Sequence, residues 1–113
     1  MSGITTHVLD TARGRPADGI PVRLEHESAP GEWKEIGSGA TDADGRLRTL
    51  TEGHALERGT YRITFETEAY WKAQAREGFY PRVSVTFVVR DPSQHFHVPL
   101  LLSPFGFSTY RGS

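Results

Sequence analysis

The sequence predicts an all-β fold, a β-sandwich with one short helix, and three observations support this prediction. Apolar and polar residues alternate with a period of two along seven or eight short segments, which is typical of strands with one buried face. Turn-forming Gly, Pro and Asp residues separate these segments. Only one stretch replaces β-branched residues with helix formers. The 113 residues suffice for one hydrophobic core, so we expect a single domain over 1–113.

Four strands are predicted in the N-terminal half, over residues 4–10, 22–25, 33–41 and 46–50. Successive side chains of a strand point to opposite faces, so the odd-numbered residues of the first strand, including His7, share one face. The third strand is weaker because it contains Gly37 and Gly39. Before the fourth strand, the tight turn Asp42-Ala-Asp-Gly45 delivers Arg46 to its start.

The C-terminal half is predicted to hold one helix over 67–76 and four strands over 61–66, 83–89, 95–102 and 105–110. Ala, Tyr, Trp, Lys and Gln fill the helical stretch. The linker Asp91-Pro-Ser-Gln94 is short and contains a proline, which predicts a hairpin connection into the strand that begins at His95.

Charge and composition argue against several classes of partner. The chain has 13 basic and 14 acidic residues, for a net charge of −1, and the basic ones are scattered, so we expect no nucleic acid and no membrane as partner. It has no cysteine, which excludes disulfides and thiolate chemistry. The start lacks the basic and apolar regions of a signal peptide, and the apolar stretch 98–102 is too short to cross a bilayer. We therefore expect a cytoplasmic protein.

Of the five histidines, His95 and His97 form the most informative pair. Residues i and i+2 of a strand share a face, so both imidazoles are expected on the face opposite the apolar residues of their strand. Three interpretations stay open on spacing alone: a metal site with His7 as third ligand, a polar cross-strand pair, and a metal-free acid/base pair. The remaining two, His26 and His54, are interpreted as solvated surface residues.

Arg46 and the polar C-terminal string are further candidates. The guanidinium of Arg46 is either an ordinary surface charge or an anchor for an anion or a carbonyl oxygen. An apolar strand leads towards Tyr110-Arg111-Gly112-Ser113, whereas a terminus that frays has no use for one. Gly112 permits close backbone approach, so we expect this tail to be held in place. Without a positioned base or a Gly-x-Ser-x-Gly motif, Ser113 does not indicate a serine hydrolase.

Four motifs follow one another along nearly the whole chain: ITTHVLD at 4–10 with GRP at 14–16, TDADGR at 41–46, HFHVPLLLSP at 95–104 and YRGS at 110–113. In type, order and distance they resemble the transthyretin-related 5-hydroxyisourate hydrolases, whose signature ending is Tyr-Arg-Gly-Ser. Phe96 stands where many members of that family have tyrosine, a change on the core side that leaves the motif residues intact.

This resemblance implies a sandwich of two four-stranded sheets with one short helix, assembled as a homotetramer with active sites between dimers. It implies a small-molecule substrate, 5-hydroxyisourate, whose ring is opened to 2-oxo-4-hydroxy-4-carboxy-5-ureidoimidazoline in urate degradation, with no metal or organic cofactor. The implied catalytic residues are His7, Arg46 and His97, and His95 has at most a supporting role. The implied substrate-binding residues are His7, Arg46, Tyr110, Arg111, Gly112 and Ser113.

Two alternatives remain beside the enzyme. The related carrier transthyretin shares the fold but lacks equivalents of His7, His97 and the Tyr-Arg-Gly-Ser ending, so the resemblance favours the hydrolase over a small-ligand carrier without catalysis. A carbohydrate-binding or adhesion sandwich would need exposed aromatic platforms, for which Trp33, Trp71 and Tyr80 are the candidates.

Overall fold

The structure, a computed structural model, describes residues 3–113. In chain order its elements are β1 (Gly3–Asp10), β2 (Arg15–Pro16), β3 (Pro21–Ala29), β4 (Glu32–Ala40), β5 (Arg46–Leu47), β6 (Gly59–Phe65), α1 (Thr67–Ala73), β7 (Val83–Val89), β8 (His95–Ser103) and β9 (Gly106–Thr109).

These strands form the two sheets of the predicted sandwich, which is confirmed. The first sheet has the order β2-β1-β8-β9, with β5 also paired to β1, and the second has the order β4-β3-β6-β7. The sheets therefore contain five and four strands rather than four each. The difference arises because two-residue strands, β2 and β5, share one edge of β1. Strands β1 and β8 run parallel, and the other pairs are antiparallel.

The core lies between the two sheets and follows the predicted alternation. The first sheet contributes one face of β1 and one of β8, and the second contributes the inner faces of β3 and β6; the fully buried side chains here include Ile4, Val8, Leu24, Ile63, Phe65 and Leu100. Burying each such side chain stabilises the fold by roughly 1.5–3 kcal/mol. The opposite face of β1 and β8, which carries the histidines, is thereby left outside the core.

A buried carboxylate fastens α1 to the first sheet. Asp10 ends β1 with its side chain fully enclosed, and its Oδ2 accepts hydrogen bonds from the Tyr70 hydroxyl (2.8 Å) and from Arg76 (2.9 Å). Trp71 packs into the core from the same helix.

Across residues 3–113 we find no helix with the length and apolar character that a bilayer crossing needs.

Two elements end three residues before the boundary that the sequence predicts. The predicted strand 46–50 ends at Leu47, because two turns follow in which Glu52 N–H donates to Thr49 and His54 N–H to Thr51. The predicted helix 67–76 ends at Ala73. Beyond that point the chain leaves helical geometry, since the φ of Ala75 is 53°.

The prediction of a hairpin at Asp91–Gln94 is wrong. Strand β7 is the edge of the second sheet, whereas β8 lies between β1 and β9 in the first. The linker therefore carries the chain from one sheet to the other. Its length and proline are equally suited to both connections, and pairing with β1 places the apolar inner face of β8 in the core between the sheets.

Candidate active site

Three strands of the first sheet bring the three predicted catalytic residues together. Across the antiparallel β1–β5 pair His7 lies opposite Arg46, and across the parallel β1–β8 pair Thr5 lies opposite His97. Residues 5 and 7 occupy the same face of β1 because strand side chains alternate. The histidines and the arginine therefore share one surface of the sheet, outside the core.

The turn before β5 fixes where Arg46 leaves the backbone. One carboxylate oxygen of Asp42 accepts hydrogen bonds from the N–H groups of Asp44 (2.9 Å) and Arg46 (3.0 Å). Gly45 has a φ of 75°, and a Cβ there would lie 2.4 Å from the carbonyl oxygen of Val8. Only glycine fits this turn without displacing β1.

A cavity of about 300 Å³ opens on this surface, lined by Thr5, Thr6, Arg46, Arg48, His95, His97 and Ser113. His7 lies beside it, with its ring centroid 6.5 Å from that of His97 and the ring planes tilted by 33°. The structure thus gathers three imidazoles, two guanidiniums and the hydroxyl side chains of Thr5 and Ser113 around one small volume.

The C-terminal tail is held against β8, as the sequence predicts. Gly112 N–H donates a 2.8 Å hydrogen bond to the carbonyl of His97. A Cβ on Gly112 would come within 2.7 Å of His97 Cδ2 and 3.3 Å of Pro99, so a side chain is excluded by close approach. This contact brings Ser113 to the cavity edge.

The first two residues of the tail lie away from the cavity beside His97. Tyr110 and Arg111 line a second cavity of about 240 Å³, together with Phe87 of β7 and other apolar residues. The Arg111 guanidinium lies 4.5 Å above the Phe96 ring and donates to Gln94 at 3.1 Å. Within one chain, therefore, the Tyr-Arg-Gly-Ser string divides between two surfaces.

Burial and positive neighbours set the protonation of His97. Removal from water lowers its pKa below the ordinary value of 6.5, and the charge of Arg46 lowers it further, with smaller effects from His7, His95 and Arg48. The ring is therefore neutral at neutral pH and can accept a proton. Among residues 3–113, neither Arg46 nor Arg48 forms a salt bridge with a carboxylate, and both guanidiniums line the cavity.

The metal interpretation of the histidine pair gains no support from the geometry. In the described part of the chain, no three His, Cys, Asp or Glu side chains converge closely enough to hold a metal ion. His95 and His97 instead share a hydroxyl partner, the Oγ1 of Thr5, at 3.0 and 2.8 Å.

Sequence reasoning missed Thr5 and Arg48 as cavity residues. The sequence did contain a signal for both, because each lies two positions from a predicted site residue in a predicted strand. Thr5 precedes His7 on the outer face of β1, and Arg48 follows Arg46 at the same spacing. The rule that placed His95 beside His97 applies equally to both.

The remaining aromatic and histidine candidates have structural roles. Trp71 is only 2% exposed, Tyr80 packs against the core, and Trp33 lies 4.2 Å beneath the Arg62 guanidinium. They do not form the exposed platform of a carbohydrate-binding surface. His26 stacks on the buried Tyr61 at 4.4 Å between ring centroids.

Comparison with known proteins places this arrangement in a family. The sequence model of the HIUase/Transthyretin family matches residues 4–112. The chain belongs to this family. The protein named 5-hydroxyisourate hydrolase from Mus musculus is 49% identical over 113 residues, an alignment covering 99% of this chain and 96% of that relative.

Solved structures of HIUase/Transthyretin family members are similar throughout. Klebsiella pneumoniae 5-hydroxyisourate hydrolase is 38% identical with a TM-score of 0.87, covering 100% of both chains. Sea bream transthyretin, solved in complex with thyroxine, is 32% identical with a TM-score of 0.90, covering 96% of this chain and 93% of that one. The fold is therefore about equally similar to a hydrolase and to a thyroxine-binding protein, and only the site's side chains can distinguish them.

Proposed function

We propose that this protein is a 5-hydroxyisourate hydrolase, which opens the ring of 5-hydroxyisourate to 2-oxo-4-hydroxy-4-carboxy-5-ureidoimidazoline in urate degradation. The observation that carries the proposal is a neutral imidazole, His97, in a small cavity beside the unpaired guanidinium of Arg46. The 49% identity to the mouse protein of that name supports the choice of substrate.

The chemistry needs an activated water, a stabilised oxyanion and a protonated leaving nitrogen. We assign His97 as the base that takes a proton from water, so that the hydroxide oxygen forms a bond to the ring carbonyl carbon. Arg46 donates hydrogen bonds to the oxyanion that develops on the carbonyl oxygen. When the C–N bond breaks, its electron pair goes to nitrogen, which receives a proton from the histidine pair His7 and His97.

We assign the tail to substrate binding in this scheme. Ser113 lies at the cavity and Gly112 is bound to His97, so both are in place within one chain. Tyr110 and Arg111 face another surface, with Tyr110 56% exposed. A substrate-binding role for these two therefore requires a partner chain that completes the site.

We propose that this partner is a second copy of the chain, within a homotetramer whose sites lie between dimers. Strands β7 and β9 are sheet edges with unpaired backbone groups. Several apolar side chains near these edges are exposed: Phe79, Val88, Phe105 and Phe107, of which Phe105 is 68% exposed. Exposed apolar side chains beside open strand edges favour closed, symmetric association.

A carrier without catalysis is the alternative function; the sea bream structure contains bound thyroxine, but the relatives named 5-hydroxyisourate hydrolase do not favour this alternative. The two functions differ in turnover. The protein should be incubated, after exhaustive chelation of metals, with freshly generated 5-hydroxyisourate in large molar excess. The hydrolase converts the whole excess to the ring-opened product faster than buffer does. A carrier protects one equivalent or fewer per site and releases it unchanged.

The same experiment tests the metal-free mechanism. Activity should be unaffected by chelation, because no step above uses a metal ion. Loss of activity on chelation, with recovery on adding zinc, would mean that the histidine pair binds a metal ion.

The cytoplasmic location expected from the sequence stays a prediction, which fractionation of the cells that produce the protein would test.

A further inference from the structure

One hydroxyl connects the two histidines of β8. Thr5 Oγ1 lies 2.8 Å from His97 Nδ1 and 3.0 Å from His95 Nε2. Thr5 is held in this position by its strand, because it pairs directly with His97 across the parallel β1–β8 ladder. Both contacts are hydrogen bonds of ordinary length.

A hydroxyl has a single proton, so it can donate to only one of the two rings and must accept from the other. If Thr5 donates to His95, then His97 carries its proton on Nδ1 and presents a bare Nε2. If Thr5 donates to His97, then His95 carries its proton on Nε2, and so does His97. The tautomers of the two rings are therefore coupled through Thr5.

The two rings differ in their access to water. His97 is half-buried in the cavity, whereas His95 is exposed. The path from His97 through Thr5 to His95 thus leads from the reacting centre to solvent. We propose that Thr5 and His95 form a proton relay that connects the base His97 to bulk water.

The relay rests on the proposed hydrolase function. Its proton transfers occur in the following order. His97 Nε2 takes a proton from water while the hydroxide adds to the substrate. The Nδ1 proton of His97 then moves to Thr5 Oγ1, as the hydroxyl proton of Thr5 moves to His95 Nε2. His95 releases its own Nδ1 proton to solvent. The reverse sequence, with one proton taken up by His95, lets His97 Nε2 protonate the leaving nitrogen and restores the first state.

The charges around His97 give a reason for such a relay. Arg46 and Arg48 face the ring from β5 and the residues after it, His7 faces it from β1, and His95 lies on its own strand. These positive or ionisable neighbours make a long-lived imidazolium unfavourable, which also accounts for the lowered pKa of His97. A proton taken from water is therefore passed on more readily than stored.

Chemical rescue separates a relay from a structural role. In dilute buffer, His95→Ala should lower kcat by about tenfold with little change in KM, and added imidazole should restore kcat saturably. The matched control is His54→Ala, at an exposed loop histidine, which should keep wild-type rates with no response to imidazole. Wild-type kcat in His95→Ala, or a reduced kcat that imidazole does not raise, would overturn the relay.

The threonine is tested by removing and then retaining its hydroxyl. Thr5→Val keeps the β-branched shape and loses the hydroxyl, so kcat should fall by about tenfold or more. Thr5→Ser keeps the hydroxyl and should recover most of that loss. Equal rates in the two variants would contradict the proposal.

A measurement without substrate separates failure of the relay from failure of the proposed function. At about pH 8, where imidazoles are neutral, ring-nitrogen NMR spectra should show His95 and His97 protonated on the same type of nitrogen, both Nδ1 or both Nε2. Thr5→Val should change the tautomer ratio of both rings, because neither then has the hydroxyl as a partner. Wild-type protein with His97 protonated on Nδ1 and His95 on Nε2 would overturn the relay, because the hydroxyl would then accept from both rings and donate to neither.

Discussion

At the residue scale, the surroundings of the His97 ring set its protonation state, on which its proposed role as a base depends. Burial and the charge of Arg46 lower the pKa of this imidazole below 6.5. A base must be neutral to accept a proton, so the acidic limb of kcat/KM should have its midpoint below that value.

The lowered pKa of His97 also affects the stability of the fold. His97 contributes fully to the free energy of unfolding above pH 6.5. That contribution declines as the pH falls through the lower folded pKa.

Removing one neighbouring charge tests this account. Arg48→Gln should raise the pKa of His97 and move the acidic limb to higher pH, because Arg48 is one of the positive groups that lower it. Lys34→Gln, at an exposed position of β4 in the other sheet, removes the same charge as a control. The pH dependence of kcat/KM and an NMR titration of His97 provide the readouts. A midpoint that moves equally in both variants, or in neither, would argue against the assignment of His97 as the base.

A second prediction at this scale concerns the tail. In Gly112→Ala the new Cβ would lie 2.7 Å from His97 Cδ2, so either the ring or the tail must move. We expect kcat/KM to fall by about tenfold or more, since a base displaced by a fraction of an ångström loses its alignment. Gly106→Ala is the matched control, because its Cβ meets nothing closer than 3.6 Å. Activity equal to that of the control would mean that the tail does not position His97.

At the element scale, regular periodicity was the predictable part of the fold. Strand β1 alternates strictly over the seven residues 4–10, and the sequence places its boundaries to within one residue. The two-residue strands β2 and β5 are too short for any period to be visible, so their pairing with β1 emerges only in three dimensions. The change of sheet after β7 was also unpredictable, because turn residues record where a chain bends and not which sheet it enters.

The contact that docks α1 on β1 yields a stability prediction. Burial by itself would raise the pKa of Asp10, but hydrogen bonds from Arg76, Tyr70 and the Arg13 N–H outweigh it and hold the pKa below 3.8. Its contribution to stability is therefore complete above about pH 4 and is lost as the pH falls through the lower folded value.

Arg76→Met removes the charged partner of this buried carboxylate and leaves its hydrogen bonds from Tyr70 and the Arg13 N–H. We expect the free energy of unfolding to fall by about 3 kcal/mol, the low end for a broken buried pair, because Arg76 is itself partly exposed. Arg82→Met, which loses an exposed contact with Glu66, should change it by less than about 1 kcal/mol. Urea denaturation at neutral pH measures both. Equal losses in the two variants would show that Asp10 does not depend on Arg76.

At the scale of the whole molecule, a single chain brings together only some of the residues predicted for the site. Sequence motifs identified His7, Arg46 and His97, and the folded chain gathers all three. They did not predict that Tyr110 would face away from the cavity, because the course of a tail depends on packing between sheets and between chains.

The proposed homotetramer can be tested at one exposed side chain. Phe105→Glu places a charge on the apolar surface between β8 and β9, where the native ring is 68% exposed and contributes little to the fold of a single chain. We expect folded but smaller species in sedimentation experiments, with specific activity lowered in step. Ala55→Glu, in an exposed loop, should remain assembled and active. A fully active monomer, from this variant or from dilution of the wild type, would contradict the shared site.

The central claim, that the His97 face of the first sheet hydrolyses 5-hydroxyisourate, is tested most directly by one time course. The ultraviolet absorbance of freshly generated 5-hydroxyisourate is followed in buffer, with the wild type, with His97→Asn and with His54→Asn. We predict rapid loss with the wild type and His54→Asn, and a rate lower by about 10²–10⁴-fold with a folded His97→Asn. Decay with the wild type at the rate seen in buffer, or with His97→Asn at the wild-type rate, would contradict the account.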